Sequence, residues 1–231
     1  MPERSWLFRA TGGTMRAVRQ LLTGASVTEL DALWVRHGES TANLVRRFSH
    51  KADEHPLTPR GVEQATELSR TLNAAGLAGP IFASPLLRAQ QTAAILATPG
   101  NLDVVTIEEF RELDVGDLDG QDSDAAWAIH DAVYEAWLAG NFDVAFPDGE
   151  SAHEVARRLQ RGYARVIDLA QADPTVIVGH GGNITIALRV LDDAGPPLGP
   201  VANCEVIPLH LAITCGQTAE SSQVTVRRIR P

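Results

Sequence analysis

The residues best suited to chemistry in this chain are Arg36 and His37, which end the apolar run Leu33-Trp34-Val35 and precede Gly38. A guanidinium fork fits phosphate oxygens, and an imidazole can act as a nucleophile or carry a proton. A strand that ends in Arg-His and turns through glycine would present both side chains at the carboxyl edge of a sheet, where open α/β folds bind ligands. The pair therefore favours phosphoryl chemistry.

A second basic residue, Arg88, follows the apolar run 81–83. Ser84 is a favourable N-cap and Pro85 a favourable first helical residue, so we predict a helix over residues 85–97. Arg88 would then lie in the first helical turn, near free backbone N–H groups and the positive end of the helix dipole. Such a position is typical of an anion site.

Two more strand ends carry candidate residues. His180 follows the run 175–178 and opens a glycine turn that includes Gly181, whose amide can approach a ligand closely. Glu112 follows the run 104–107. Each of these residues alone has an ordinary structural explanation, but together with the two arginines and His37 they form a set at one edge of one sheet.

This set could act on a phosphate monoester, which carries about two negative charges near neutral pH. Arg36 and Arg88 would neutralise it through forked hydrogen bonds. A neutral His37 could attack phosphorus and form a phosphohistidine. A protonated His180 could stabilise the equatorial oxygens of the transferring group.

Glu112 is the candidate proton donor for the leaving alkoxide. It lies close to Phe110 and Leu113, and a carboxylic acid with apolar neighbours can keep its proton at neutral pH. Because the arginines and histidines supply the positive charge, we expect no metal ion and no cofactor.

Apolar runs and amphipathic segments alternate along the chain. This pattern predicts an α/β fold, a three-layer sandwich with a mainly parallel central sheet and helices on both faces. The acidic, aromatic segment 117–150 is interpreted as a helical insertion over the strand ends, and Ser151 with Glu154 forms a capping box after it. The predicted strands are 32–36, 80–83, 103–107, 175–179, 203–209 and 223–229, and the predicted helices are 40–47, 60–75, 85–97, 122–139, 151–171 and 183–191.

The 231 residues suffice for one domain with a full core. We interpret residues 29–231 as a single domain and residues 1–28 as an N-terminal extension. Two explanations of that extension stay open: Met15 is the true start, or the segment packs as an amphipathic helix.

Composition bounds the partners of the protein. The net charge of −9 argues against nonspecific nucleic-acid binding. Two cysteines, Cys204 and Cys215, form no disulfide framework and suit a reducing compartment. No apolar run reaches transmembrane length. We therefore expect a cytoplasmic protein with a small phosphorylated substrate and no nucleic-acid or membrane partner. A homodimer is compatible with the sequence, which does not determine the oligomeric state.

Six ordered blocks in this sequence resemble the histidine phosphatase superfamily, in its phosphoglycerate-mutase-like branch. The resemblance covers roughly residues 31–210, and the order of the blocks makes it specific. The blocks are Arg36-His37-Gly38-Glu39-Ser40-Thr41-Ala42-Asn43, Leu57-Thr58-Pro59-Arg60-Gly61-Val62-Glu63-Gln64-Ala65, Ser84-Pro85-Leu86-Leu87-Arg88-Ala89-Gln90-Gln91-Thr92-Ala93, Glu112 with Gly116 and Gly120, Gly149-Glu150-Ser151, and Gly179-His180-Gly181-Gly182.

The resemblance implies a role for each matching residue. His37 would be the phosphorylated nucleophile, and Glu112 would be the proton donor and then the base for water. The implied phosphate pocket consists of Arg36, Arg88 and His180. Further implied contacts are the side chain of Asn43, the amide of Gly181 and, where relatives carry a polar substrate-contacting residue, Ser49.

The sequence departs from the family pattern at three places near the substrate entrance or the second histidine. The stretch 49–56 is about one residue longer than usual. Leu118-Asp119 stands where relatives often have Trp-Glu. Asn183 replaces a usual apolar residue after the glycine pair. The first two departures bear on the identity of the substrate and leave the chemistry at phosphorus unaffected.

The segment 120–149 separates two activities within this family. Mutases that resemble the glycolytic enzyme carry a longer insertion with an added basic cluster, whereas this segment is acidic and contains no Arg or Lys. We therefore predict a metal-independent phosphomonoester hydrolase that acts through a phosphohistidine on a small phosphorylated metabolite. The alternatives are a phosphoglycerate-type phosphomutase and a non-catalytic member that binds phosphorylated ligands. Arg46, Arg47 and Lys51 could meet a second anionic group, but the ester itself is not readable from the sequence.

Overall fold

The computed structural model describes residues 27–50, 55–192, 198–214 and 223–230. Most of the N-terminal extension, Lys51 and Cys215 therefore lie outside the described residues. The described ranges contain six strands and six α-helices. The strands are β1 (Val27–Arg36), β2 (Ile81–Ala83), β3 (Val104–Thr106), β4 (Thr175–Gly179), β5 (Val206–Thr214) and β6 (Gln223–Arg228), and the helices are α1 (Thr41–Val45), α2 (Pro59–Ala74), α3 (Leu87–Ala97), α4 (Asp124–Leu138), α5 (Ala152–Leu169) and α6 (Gly181–Leu191).

The strands form one mixed sheet in the order β3-β2-β4-β1-β5-β6. The pairs β3-β2, β2-β4 and β4-β1 are parallel, and β5 runs antiparallel to both β1 and β6. The predicted α/β class with a mainly parallel sheet is confirmed. Because β4 lies between β2 and β1, the carboxyl ends of four parallel strands meet at one edge.

Alternating side chains of the sheet enter two separate cores, as the two-residue period of a strand requires. Trp34 lies in the core that includes residues of α5 and α6, such as Leu159 and Ile184. Leu33 and Val35 lie in the other core, with residues of α2 and α3. The sheet is thus covered on both faces, and residues 31–36 are fixed from both sides up to the point where His37 begins the loop.

Two strands differ from the prediction. β1 begins at Val27 and β5 ends at Thr214, so residues 27–28, assigned from the sequence to the N-terminal extension, belong to the sheet. The physical reason is antiparallel pairing, which continues from Val35↔Val206 to Val27↔Thr214. Thr28, Glu29 and Asp31 interrupt the apolar run. A strand predicted from consecutive apolar residues therefore begins too late and misses this half-exposed part.

The start of α3 was also wrong by two residues. The helix begins at Leu87 rather than Pro85, with Leu86 as its N-cap residue. The Ser84 hydroxyl lies 2.7 Å from the His180 ring instead of capping the helix. Arg88 still occupies the first turn, as predicted. The capping box of Ser151 and Glu154 at the start of α5 is confirmed.

The insertion predicted over residues 117–150 contains one α-helix, α4, whose N-cap Ser123 accepts a hydrogen bond from the Ala126 N–H. It docks on the segment that follows α1. Phe48 and Gln121 share a backbone hydrogen bond of 3.0 Å, and the Trp127 indole N–H donates to the Arg46 carbonyl at 2.9 Å. The insertion therefore lies beside the segment 46–48.

Candidate active site

The hydrogen bonds of His37 determine which of its nitrogens can react. Its Nδ1 lies 2.7 Å from the Gly38 carbonyl, which can only accept, so Nδ1 carries the proton. Its Nε2 accepts a hydrogen bond from Arg88 Nε at 3.1 Å. Burial, followed by the positive charge of Arg88, lowers the pKa of His37 well below 6.5. The imidazole is therefore neutral, with the Nε2 lone pair as its nucleophilic position.

The loop that carries His37 is shaped by a close approach of two glycines. A Cβ at Gly38 would lie 2.6 Å from the Gly61 carbonyl oxygen, and a Cβ at Gly61 would lie 2.0 Å from the Glu39 carbonyl oxygen. Gln64 accepts the Glu39 N–H at 2.8 Å, and Thr58 caps α2 through the Gly61 N–H. The second sequence block thus supports the first.

The third block holds the same loop from the other side. The Thr92 hydroxyl accepts the Gly38 N–H at 3.1 Å and donates to the Arg88 carbonyl at 2.7 Å. Arg88 is buried and also donates to the Ser49 carbonyl at 3.1 Å. Ser49 therefore contacts Arg88 through its backbone carbonyl, not through its side chain. The substrate contact expected of the Ser49 side chain stays a prediction.

His180 is fully buried beside His37, with ring centroids 5.2 Å apart. The Trp34 indole N–H donates to the His180 carbonyl at 3.3 Å. Burial, followed by the charge of Arg88, lowers the pKa of His180 well below 6.5. The resting imidazole is therefore neutral, in contrast to the protonated form considered from the sequence.

A neutral His180 can still donate one hydrogen bond. The Ser84 hydroxyl, which accepts the Leu86 N–H at 3.3 Å, lies 2.7 Å from His180 Nε2. If the hydroxyl proton points to Nε2, then Nδ1 carries the ring proton. Nδ1 is buried and has no hydrogen-bond partner among the described residues. It is thus available as a donor to a ligand oxygen.

Arg36 is held by the loop before β5, which sequence reasoning did not identify as part of the site. Its guanidinium donates to the Val201 carbonyl. The Cys204 N–H donates to the Arg36 carbonyl at 2.9 Å, and the Asn203 amide donates to the His37 carbonyl at 2.9 Å. Burial lowers the pKa of Arg36, and the charge of Glu112 opposes this effect. Glu112 is therefore close enough to interact with Arg36.

The carboxylate of Glu112 is bound by backbone donors, which the apolar neighbours in the sequence did not suggest. It accepts hydrogen bonds from the N–H groups of Leu113 at 3.0 Å, Gly182 at 3.3 Å and Asn183 at 2.8 Å. Gly182 and Asn183 belong to the first turn of α6, where helical N–H groups lack intrahelical partners. The acid is thus oriented by the helix that follows His180.

Side chains also hold the backbone before Glu112. Arg158 donates to the carbonyls of Glu109 at 2.6 Å, Arg111 at 2.8 Å and Glu112 at 3.3 Å. Two bonds of 2.7 Å join the Arg158 guanidinium to the Glu150 carboxylate. The sequence showed Glu150 only as part of a block, and Arg158 was missed because its role depends on contacts with residues about 47 positions away.

His50 also contacts residues 109–112, which are called the acid segment because they end in Glu112. Its Nδ1 donates to the Glu112 carbonyl at 2.7 Å, and its backbone N–H donates to Asp119 Oδ1 at 2.6 Å. Asp119 thus anchors the segment that contains Ser49, while its neighbour Leu118 is buried. The Leu118-Asp119 pair therefore supports the segment around Ser49 and His50.

Two residues expected to bind phosphate have structural contacts within the protein. Asn43 is exposed, and its Oδ1 accepts the Ser40 N–H at 3.0 Å, which caps the short helix α1. Gly181 begins α6, and a Cβ there would lie 3.2 Å from Arg36 Cδ. The phosphate contacts of both residues stay predictions. Within the described residues, no group of three or more His, Cys, Asp or Glu side chains is arranged to hold a metal ion.

The helix α4 contributes an aromatic face that packs against Phe48. Phe48 lies against Trp127, with ring centroids 4.3 Å apart, and His130 stacks on Tyr134 at 5.7 Å. Burial, followed by the charge of Glu112, raises the pKa of the Tyr134 phenol. The insertion therefore contributes a half-buried phenol whose ionisation is affected by Glu112.

The sequence model of the histidine phosphatase superfamily (branch 1) matches residues 32–212. The chain belongs to this superfamily. The match includes all four strand ends that carry the candidate residues, in agreement with the resemblance of the six sequence blocks.

None of the helices in the described part of the chain has the length and apolar character of a membrane span.

Relatives within the superfamily carry names of two kinds. A protein named 2,3-bisphosphoglycerate-dependent phosphoglycerate mutase from Beijerinckia indica is 34% identical over 200 residues, which cover 82% of this chain and 95% of the relative. A protein named probable phosphoglycerate mutase from an Enterobacter species is 34% identical over 152 residues, which cover 66% of this chain and 70% of the relative.

The similar solved structures include phosphatases. A mycobacterial glucosyl-3-phosphoglycerate phosphatase superposes with a TM-score of 0.66 and 26% identity, covering 86% of this chain and 97% of that chain. The alpha-ribazole phosphatase from Shigella flexneri superposes with a TM-score of 0.60 and 27% identity, covering 87% of this chain and 96% of that chain. Membership of the histidine phosphatase superfamily is therefore consistent with either hydrolase or mutase activity.

Proposed function

We propose that this protein is a metal-independent phosphomonoester hydrolase that acts through a phosphohistidine on a small phosphorylated metabolite. The hydrogen bonding of His37 is the observation that supports phosphoryl transfer to this residue. Its Nδ1–H is bound by the Gly38 carbonyl at 2.7 Å, which leaves Nε2 as a neutral nucleophile beside Arg88.

In the first step, Nε2 of His37 forms a bond to phosphorus as the bond from phosphorus to the ester oxygen breaks. The hydrogen bond from Arg88 Nε to Nε2 must break as phosphorus approaches, and Arg88 can then bind a phosphate oxygen. The Gly38 carbonyl stabilises the positive charge that develops on the ring. Arg36 and the Nδ1–H of His180 would bind the remaining oxygens.

Glu112 must carry a proton when the substrate binds, and it supplies this proton to the departing alkoxide, which leaves as an alcohol. In the second step Glu112 takes a proton from water as the water oxygen bonds to phosphorus. The bond between phosphorus and Nε2 then breaks, and His37 regains its lone pair. The position of Glu112, close to Arg36 and bound to the first turn of α6, supports this assignment.

Water is favoured over a second phosphorylated acceptor by the charge of the insertion. Residues 120–149, which include α4, contain no Arg or Lys. A mutase must hold a bisphosphorylated molecule while it reorients, which requires additional positive charge. The similar structures named as phosphatases, at 26–27% identity, support the same choice.

The phosphoglycerate mutase activity named for relatives at 34% identity is the second candidate. Incubation of the protein with 3-phosphoglycerate, with and without 2,3-bisphosphoglycerate, separates the two. Phosphate release from this or another phosphomonoester, lost in His37→Ala, would support the hydrolase. Formation of 2-phosphoglycerate without phosphate release would contradict the proposal and establish the mutase. A panel of phosphomonoesters, including sugar and nucleoside phosphates, would then define the substrate.

A further inference from the structure

Asn183 occupies the third position of α6, and its polar side chain is fully buried. Its Nδ2 donates to the carbonyls of Phe110 at 3.1 Å and Arg111 at 3.0 Å. Both carbonyls can only accept, which determines the orientation of the amide group. Asn183 thus connects α6 to the backbone immediately before Glu112.

The same residue also binds the carboxylate of the acid. The Asn183 backbone N–H donates to Glu112 Oε1 at 2.8 Å. The side chain of Asn183 therefore positions the backbone of the acid segment, and its main chain positions the acid group itself. These contacts restrain both ends of the Glu112 side chain relative to one turn of helix.

An apolar side chain at this position would lose both donors. The Arg111 carbonyl would keep its hydrogen bond from Arg158 at 2.8 Å, but the Phe110 carbonyl would lose the bond from Asn183 in a buried site. An unpaired buried carbonyl is unfavourable and would shift toward other donors or water. Such a shift would move the segment that carries Glu112 with respect to the phosphate pocket.

We infer that Asn183 is a positioning residue for proton transfer by Glu112. The inference rests on the proposed function, because it takes Glu112 as the proton donor. Proton donation matters most when the leaving group is a poor one, so a misplaced acid affects alkyl phosphates more than activated aryl phosphates. A residue needed only for stability would affect both esters equally.

The test compares kcat/KM for 4-nitrophenyl phosphate and benzyl phosphate, because kcat/KM reports the steps through departure of the leaving group. For Asn183→Leu we expect a loss with benzyl phosphate about 10- to 30-fold larger than the loss with 4-nitrophenyl phosphate, a part of the effect of a general acid. Asn183→Ser, which keeps one hydroxyl donor, should show a smaller difference.

Two further variants make the result decisive. Ser69→Ala removes another buried hydrogen bond to a backbone carbonyl, that of Ile95 at 3.1 Å, far from the acid in the chain. It should keep the wild-type ratio between the two esters. Glu112→Gln should show the full leaving-group effect, about 10²-fold or more.

If Glu112→Gln shows the effect and both Asn183 variants lose activity equally on the two esters, the positioning role is wrong and the proposed function stands. If Glu112→Gln itself leaves the ratio unchanged, the assignment of Glu112 as proton donor is wrong, and the inference is wrong with it. If neither Asn183 variant folds, while Ser69→Ala does, Asn183 is a stability residue and the inference is overturned.

Discussion

The two buried histidines of the site differ in the nitrogen that each leaves available. His37 uses Nδ1 to bind the Gly38 carbonyl and presents Nε2, whereas His180 uses Nε2 to contact Ser84 and presents Nδ1. A nucleophilic nitrogen needs a free lone pair, whereas a nitrogen that binds a phosphate oxygen needs a proton to donate. These hydrogen bonds are those that the proposed function requires, with His37 as the nucleophile and His180 as a donor to phosphate.

Replacement of His37 by alanine removes the proposed nucleophile. We expect kcat/KM to fall by about 10⁴-fold or more, because water must then attack without a covalent intermediate. Rapid quenching of the wild-type enzyme with labelled substrate should trap a phosphoryl group that is labile in acid and stable in base. His153→Ala, which changes an exposed histidine on α5, is the control and should keep both properties. Undiminished trapping in His37→Ala would assign the nucleophile elsewhere.

Replacement of Ser84 by alanine tests the state of His180. The variant leaves Nε2 without its 2.7 Å partner, so the ring proton is no longer confined to Nδ1. We expect kcat/KM to fall about 10-fold, the effect of weakening one donor to the transferring group. Kinetics of Ser69→Ala, a buried serine outside the site, provide the comparison. Equal kcat/KM for Ser84→Ala and wild type would show that Ser84 does not orient His180.

At the scale of secondary structure elements, the site depends on contacts between chain segments that the sequence shows only as separate blocks. α2 and α3 both bind the loop after β1, through Gln64 and Thr92 respectively. α5 binds the acid segment through Arg158, and α6 does so through its first turn. Each helix that packs on the sheet thus contributes a specific polar contact to the reactive residues.

The close approach of α2 to the loop after β1 predicts the effect of a single methyl group. In Gly61→Ala the Cβ would lie 2.0 Å from the Glu39 carbonyl oxygen, so the loop or the helix must move. We expect a loss of about 2–3 kcal/mol in the free energy of unfolding, typical of an overpacked buried site. We also expect lower kcat/KM, since Glu39 is two residues from His37.

Urea unfolding and kinetics of the purified variants check this prediction. The matched control is Gly199→Ala, because a Cβ at Gly199 meets nothing within 4 Å. It should retain the wild-type stability and activity. A fully active and stable Gly61→Ala would mean that this contact does not position the nucleophile.

At the scale of the whole molecule, burial of the two site histidines should make stability depend on pH. The pKa values of His37 and His180 are both lowered in the folded protein, mainly by burial. Unfolded histidines bind protons near pH 6.5, so the unfolded state takes up more protons as the pH falls below that value. The stability contributed by these groups is complete above pH 6.5 and is lost on acidification, by up to about 1.4 kcal/mol per pH unit for each histidine.

Urea unfolding between pH 7.5 and 5.5 tests this dependence. In His180→Gln, the free energy of unfolding should fall less steeply as the pH decreases; this decrease is the acid slope. His210 provides a control of opposite sign, because its hydrogen bond with Asp31 raises its pKa, and its contribution is lost as the pH rises. His210→Gln should therefore steepen the acid slope slightly. An unchanged slope in His180→Gln would contradict neutral burial of His180.

Much of the architecture was predictable from local pattern. The short strands β2, β3 and β4 are apolar runs, and α5 has a marked apolar face with a capping box, so their positions were predicted to within about two residues. The amino-terminal half of β1 was missed because its alternating polar residues pair with β5 only in the folded sheet. The start of α3 was misplaced because Ser84 binds His180 rather than the helix.

The residue types of the site, and the strand end at which each one lies, follow from apolar runs, glycine turns and ordered blocks, which are local patterns. The tautomer of His37, the neutral state of His180 and the contacts of Arg158 and Asn183 with the acid segment arise from the folded arrangement. Tautomers and pKa values depend on which donors, charges and apolar atoms surround a group. The Gly38 carbonyl that binds Nδ1 of His37 is adjacent in the chain, but Arg88 and the neighbours of His180 come from about 50 to 150 residues away, and the order of the strands in the sheet brings them together.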